Sequence, residues 1–165
     1  LAFIMGAALP LVSLTAWQSR HENANVRDGQ TVLIPAGAGD VEGVAIPMAK
    51  YLGATVYTPA QKKNFEYVSS LGADCVIDHP AADYASEIIA REPDGLDRVL
   101  DSLLGEGGVE ITIRLTKATG CVAFMNNEPL LMTDIIDRYF KAKFIHHRAD
   151  GDMLAKILSL FVRGE

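Results

Sequence analysis

The stretch Thr31–Tyr57, TVLIPAGAGDVEGVAIPMAKYLGATVY, decides how this chain is read. TVLIP is a short apolar run closed by Pro35, as a buried strand would be. AGAGD is a tight turn. From Val41 to Leu52 the apolar residues fall at 41, 44, 45, 48, 49 and 52, which is a helical period. Gly53 ends that helix, and ATVYT reads as a second strand. Strand, glycine turn, helix and strand is the order in which a dinucleotide site is built.

The glycines have distinct tasks in such a turn. Gly37 makes the bend, and Gly39 lets the backbone approach a phosphate, with Ala38 between them. The helix that follows offers free N–H groups and the positive end of its dipole. A G-x-G-x-x-G spacing wants its third glycine at position 42, where this chain has Glu42; its next glycine is Gly43. One residue turns a helix by about 100°, so Gly43 does not replace it. Asp40 caps free N–H groups in the plain structural reading, and competes with a phosphate for them in the functional one.

Outward from this unit the rhythm continues. AALPLVSLTAWQSRHE reads as a helix ending near Asn23, and NVRDGQ as a turn. AQKKNFEYVSSLG, AADYASEIIARE, LLMTDIIDRYF and DGDMLAKILSLFVRG read as helices, and GVEITIRLTKAT as a further one. CVID, LDRVLDSL, GCVAFM and KAKFIHH hold strands. Short strands alternating with helices predict an α/β chain with a doubly wound, mostly parallel, six-stranded Rossmann-type sheet and helices on both faces. Its ligand belongs at the carboxyl ends of the strands, where strand order reverses. Residues 1–28 are expected to be an entry helix and linker, and 29–165 the dinucleotide-binding domain.

Bulk properties fit one domain. The chain has 165 residues, is 49% hydrophobic and carries a formal net charge of −6, which argues against nucleic-acid or anionic-membrane partners. The apolar start lacks a basic n-region, contains Pro10 and is short for a membrane span. Cys75 and Cys121 lie in apolar runs and are expected to be reduced and packed, consistent with a cytoplasmic location. No pair of cysteines or histidines has metal-ligand spacing, and no nucleophile elbow occurs, so neither a metal nor a local catalytic residue is expected. An NAD site usually ends its second strand with an acid, but none occurs between Ala54 and Phe65. Lys62 and Lys63 stand there instead, which favours NADP(H).

The blocks AALPLVSLTAWQ, GQTVLIPAGAG, VAIPMAKYLGATVY, FEYVSSLGADCVID and DRVLDSLLGE together resemble the medium-chain dehydrogenase/reductase superfamily, in its zinc-independent quinone oxidoreductase and enoyl reductase branch. The resemblance implies the cofactor domain of an NADPH-dependent reductase that passes hydride to a quinone or an activated alkene. It implies a separate GroES-like domain that carries most substrate contacts, so that this chain alone would be inactive. It places Thr15 near the nicotinamide, Lys62 at the 2′-phosphate, and Ser102, Leu103, Asn126 and Asn127 along the cofactor channel beside Gly37, Ala38, Gly39, Asp40 and Val41. Leu11 falls where zinc-dependent members hold a metal-binding cysteine. Homodimerisation through the sheet edge at AKFIHH is a further implication. The family motif reads AGAGGVG, and Asp40, Glu42 and Pro47 depart from its pattern. An alternative reading is therefore a Rossmann-like module without turnover. A methyltransferase-like site is disfavoured by the missing ribose acid.

Overall fold

The structure, a computed structural model, describes residues 2–79, 83–102, 106–125, 141–144 and 148–163. Strand β1 is Thr31–Leu33, β2 Thr55–Ala60, β3 Cys75–Asp78, β4 Leu96–Asp101, β5 Thr116–Phe124 and β6 Lys141–Phe144. Helix α1 is Ala2–Trp17, α2 Asp40–Tyr51, α3 Phe65–Ser70, α4 Tyr84–Arg91, α5 Glu106–Leu115 and α6 Gly151–Arg163. The strands lie side by side in the order β3-β2-β1-β4-β5-β6.

The expected winding needs one correction. Five strands, β1 to β5, form its body: the four steps β3-β2, β2-β1, β1-β4 and β4-β5 are the parallel ladders between them. β6 is a four-residue strand laid on the outer edge of β5. A parallel neighbour needs a crossover of a dozen or more residues, and the span 126–140 that would supply it is outside the described residues. Every described pairing is parallel rather than mostly so.

Side-chain alternation explains why both faces are covered. Val32 and Ile34 enter one hydrophobic cluster while Leu33 between them enters the other. Val56 and Tyr57 divide in the same way, as do Leu100 and Val99, and Ala123 and Val122. Successive residues of a strand point to opposite faces, so apolar runs of this kind bury on both sides. The first cluster takes Ala16 of α1, Ala45, Ile46 and Ala49 of α2, Val68 of α3 and Ile157 of α6. The second takes Ala85 and Ile88 of α4, with Val109, Ile111 and Ile113 of α5 packed against it.

The entry helix does not end in an ordinary cap. Gln18–Ala24 forms a wider π-helical turn, closed by Asn25 in the left-handed region at φ 51°. This turn carries Arg20 beneath α2, where its guanidinium donates to the Met48 carbonyl and lies 4.8 Å from the Trp17 ring. The cation thus meets the last turn of α2, where the helix dipole is negative. Burial lowers the Arg20 pKa to about 10. Helix α2 stays continuous through Pro47.

Two other boundaries differ from the sequence reading. The helix expected over GVEITIRLTKAT stops at Leu115, and β5 begins at Thr116. Leu96 pairs with Thr116 but Arg98 pairs with Cys121, so β5 bulges between them. The β-branched and small residues of TKATG suit this extended, kinked path. Cys75 and Cys121 are free thiols, half-buried and buried respectively. No helix among the described residues is long and apolar enough to cross a membrane.

Candidate functional site

Strand order reverses between β1 and β4, and the polypeptide leaves both strands toward the same end of the sheet. Two open clefts meet there. The first is lined by Leu11, Val12 and Thr15 of α1, Ala36, the first helical residues Asp40, Val41 and Glu42, then Ser102 and Met125. The second is lined by Ala36, Ala38, Gly39, Pro59, Ala60, Gln61, Lys63, Asn64 and His79. Ala36 belongs to both, so the glycine turn is the ridge between them. Ala36 has φ 55°, a conformation that glycine adopts more readily, and such strain often sits at a ligand site.

The two turn glycines meet different neighbours. Gly37 faces the protein: a Cβ there would overlap Thr58 Oγ1 and lie 3.0 Å from Thr58 Cγ2 and 3.1 Å from Val68 Cγ1. Thr58 is fixed because its hydroxyl donates to the Ile34 carbonyl at 2.6 Å. Gly37 is therefore explained by close approach of the turn to β2. Gly39 faces Glu42: a Cβ there would overlap Oε2 and lie 3.2 Å from the Ala36 carbonyl. The turn is closed by Gly37 N–H to Pro59 O at 3.2 Å, Gly39 N–H to Ala36 O at 2.7 Å and Gly43 N–H to Gly39 O at 2.9 Å.

Glu42 is the unexpected residue of this site. It is only 6% exposed, although it is a carboxylate in the first turn of a helix at the edge of an open cleft. Burial is the main reason its pKa is raised above the usual carboxylate value. The Ser102 side chain and its own backbone N–H oppose that rise, and the charge of Asp40 adds to it. Asp40 makes no side-chain cap, and the N-cap residue is Gly39 in extended backbone. The carboxylate that occupies the turn is thus Glu42, while Asp40 lines the outer cleft.

Thr15, Asp40, Val41 and Ser102 come together in the first cleft, and Ala38 and Gly39 in the second. Gly37 lies under the ridge. Lys62 does not line either cleft: its ammonium is 3.4 Å from Asp78 Oδ2 at the end of β3. Lys63 lines the second cleft. Residues Lys62–Asn64 form a 3-10 turn, in which neighbours diverge by about 120°, so adjacent lysines take different directions. Leu103, Asn126 and Asn127 lie outside the described residues. His79, which the sequence reading did not place at the site, follows β3 directly and lines the second cleft, with its ring 5.7 Å from that of Tyr84. The rule that ligands meet the carboxyl ends of strands could have found it. Tyr67 is half exposed; its hydroxyl would sit 3.1 Å from a Cβ at Gly43.

The donor set does not fit zinc. Leu11 is 67% exposed at the cleft and offers no ligand. Among the described residues no group of three or more histidines, cysteines or acids is placed to hold a metal. The ionisable donors of the first cleft are two carboxylates on one helix, whereas zinc sites rely on nitrogen and sulfur. A dinucleotide fits the two clefts and the ridge between them better. On the ridge itself, the Glu42 carboxyl stands where a close phosphate would approach Gly39.

Comparison with known proteins agrees with this geometry. The model of the zinc-binding dehydrogenase family matches residues 43–147. A spectinabilin polyketide synthase system protein, NorB of Streptomyces orinoci, is 34% identical over 99% of this chain, which spans 8% of that protein. The trans-enoyl reductase tazE of Aspergillus terreus is 36% identical over 75% of this chain, which spans 44% of it. Among solved structures, the quinone oxidoreductase from Coxiella burnetii superposes with a TM-score of 0.81 at 30% identity, covering 96% of this chain and 49% of that one. The chain therefore spans less than half the length of these relatives.

Proposed function

Since this chain belongs to the zinc-binding dehydrogenase family of oxidoreductases, as the nucleotide-binding module of its enoyl reductase and quinone oxidoreductase branch, we propose that it holds NADPH for reduction of a quinone or an activated alkene. The observation that carries this reading is the pair of clefts that meet at Ala36 along the carboxyl ends of β1, β2 and β4. In this reading one cleft takes the adenosine half and the other the nicotinamide half. When bound, the nicotinamide supplies the hydride.

The chain's own residues position the cofactor. Thr15, Val41 and Ser102 border the nicotinamide side. Leu11, Val12 and Met125 give that side apolar walls that limit water. Gly39 and Ala38 leave space for the diphosphate. Lys63, which shares a cleft with His79, meets the 2′-phosphate; Lys62 lies 3.4 Å from Asp78 with its side chain largely exposed. The proton and most substrate contacts come from a further domain outside residues 1–165, with 1–28 as the entry segment and 29–165 as the cofactor domain. In this reading the chain alone binds cofactor without turnover, uses no zinc, and pairs with a second copy through the β6 edge.

Lys63→Ala is expected to weaken NADPH binding roughly tenfold, in line with the loss of one charge-assisted hydrogen bond, and to leave NADH binding unchanged. Calorimetric titration with the two nucleotides checks this. Equal losses for both would remove Lys63 from the 2′-phosphate. The activity is tested with the full-length protein: NADPH consumption with an enone or a quinone supports the reading, and no consumption with either class, in a protein that binds NADPH, argues against it. A module without turnover is the second reading, favoured by the one observation that Glu42 fills the turn.

A further inference from the structure

Glu42 has no place in the positioning scheme above. It is a carboxylate, 6% exposed, in the first turn of α2. Its Oε2 lies over Gly39 where any side chain on that glycine would collide. The Ser102 side chain and its own backbone N–H favour its charged form. The N–H groups of Gly37, Gly39 and Gly43 are bound to Pro59, Ala36 and Gly39 carbonyls. A helix N-terminus behind a glycine turn is a natural anion seat. In this chain the Glu42 carboxylate already lies against it, beside Gly39.

We propose that Glu42 is an internal ligand of the glycine turn, an autoinhibitory carboxylate that the diphosphate of a dinucleotide replaces only as the carboxylate takes up a proton. This rests on the reading of the two clefts as one dinucleotide groove. The proton comes from solvent and converts Glu42 from carboxylate to carboxylic acid. The neutral side chain then neither repels the diphosphate nor competes as an anion for the helix N-terminus, and it yields its place over Gly39.

The surroundings favour this exchange over simple rotation of the side chain into water. Leu11, Val12 and Thr15 face the cleft from α1, Ser102 follows β4, and Met125 follows β5. None of these is charged. From α3 the Tyr67 hydroxyl approaches the helix at Gly43. Asp40 is the charged group that acts on Glu42, and its repulsion adds to burial in raising the Glu42 pKa. Among the described residues, no cation acts on the carboxylate to offset the arrival of a diphosphate. Bringing a second anion against a buried carboxylate is costly, and uptake of a proton removes most of that cost.

The sign follows directly. The free protein loses the Glu42 proton as pH rises through the folded value, whereas the complex retains it, so binding weakens with rising pH in that window. Calorimetry with NADPH in buffers of different ionisation enthalpy measures the protons taken up, in the full chain and in Glu42→Gln and Glu42→Gly. The 2′-phosphate contributes equally in all three, and a parallel titration with NADH removes it. The full chain is expected to take up more protons than either variant. Both variants should bind at least about tenfold more tightly at alkaline pH and converge with the parent at acid pH. Binding by both variants with none by the parent supports the proposal equally. Equal affinity and equal proton uptake in all three would overturn it and leave the dinucleotide reading standing. No binding by any of the three, each showing a cooperative thermal transition, would overturn both.

Discussion

Gly37→Ala is expected to destabilise the domain by roughly 3 kcal/mol, because the new Cβ overlaps a side chain that is fixed in place. Thr58 is fully buried on β2, and its hydroxyl is committed to the Ile34 carbonyl at 2.6 Å. Val68 Cγ1 closes the other side at 3.1 Å. For a chain of this length such a loss lowers the thermal midpoint by roughly 6–12 °C. Thr58→Ala removes both atoms nearest the added methyl. On its own it costs about 1 kcal/mol for the lost hydrogen bond. In the double variant Gly37→Ala/Thr58→Ala the two losses should sum to less than their parts, with a coupling of about 1–2 kcal/mol. Additive losses in thermal or denaturant melts would show that Gly37 is needed for some other reason.

Leu100→Ala has the other large effect. Leu100 is fully buried in the cluster that joins the sheet to α1, α2 and α6, one residue before Asp101 and two before the cleft residue Ser102. Truncation of such a side chain costs about 2–5 kcal/mol, the spread reflecting how far the cavity collapses. Val162→Ala, at a side chain 87% exposed on α6, should change stability by less than about 0.5 kcal/mol. Denaturant titration of the pair checks the contrast. A small loss at Leu100 would mean that the face between the sheet and α1 is loosely packed.

Much of this arrangement was legible in the sequence, for physical reasons that differ from element to element. The strands TVL and TVYTPA and the helix between them follow from apolar periodicity and from glycines at the turns. The end of the entry segment near Asn23 follows from the polar run ENAN, whereas its π-helical turn over Gln18–Ala24 carries no sequence signal. The start of β5 did not emerge, because β-branched residues in EITIRLTKAT are compatible with helix or strand and only pairing with Leu96 decides between them. Lys62 and Lys63 are indistinguishable in sequence, and a single 3-10 turn separates their directions. The edge position of β6 depends on a span that lies outside the described residues.

Glu42 shows the limit most clearly. Its charge, and its place where the family has glycine, were readable. That it points inward over Gly39 and Asp40 outward was not, because residues two apart on a helix point about 200° apart and only the packing of α1 against α2 chooses which faces in. The same packing decides which carboxylate regulates the turn and which merely lines the cleft.

The most direct test of the central claim, that the two clefts are one dinucleotide groove crossing the glycine turn, is an NMR titration of backbone amides with NADPH, in the full chain and in Glu42→Gln. The account predicts saturable shifts at Ala36, Ala38, Gly39 and Val41 together with Gln61, Lys63 and His79, in the variant at the least. Saturating NADPH that leaves these amides unmoved in both proteins would contradict it.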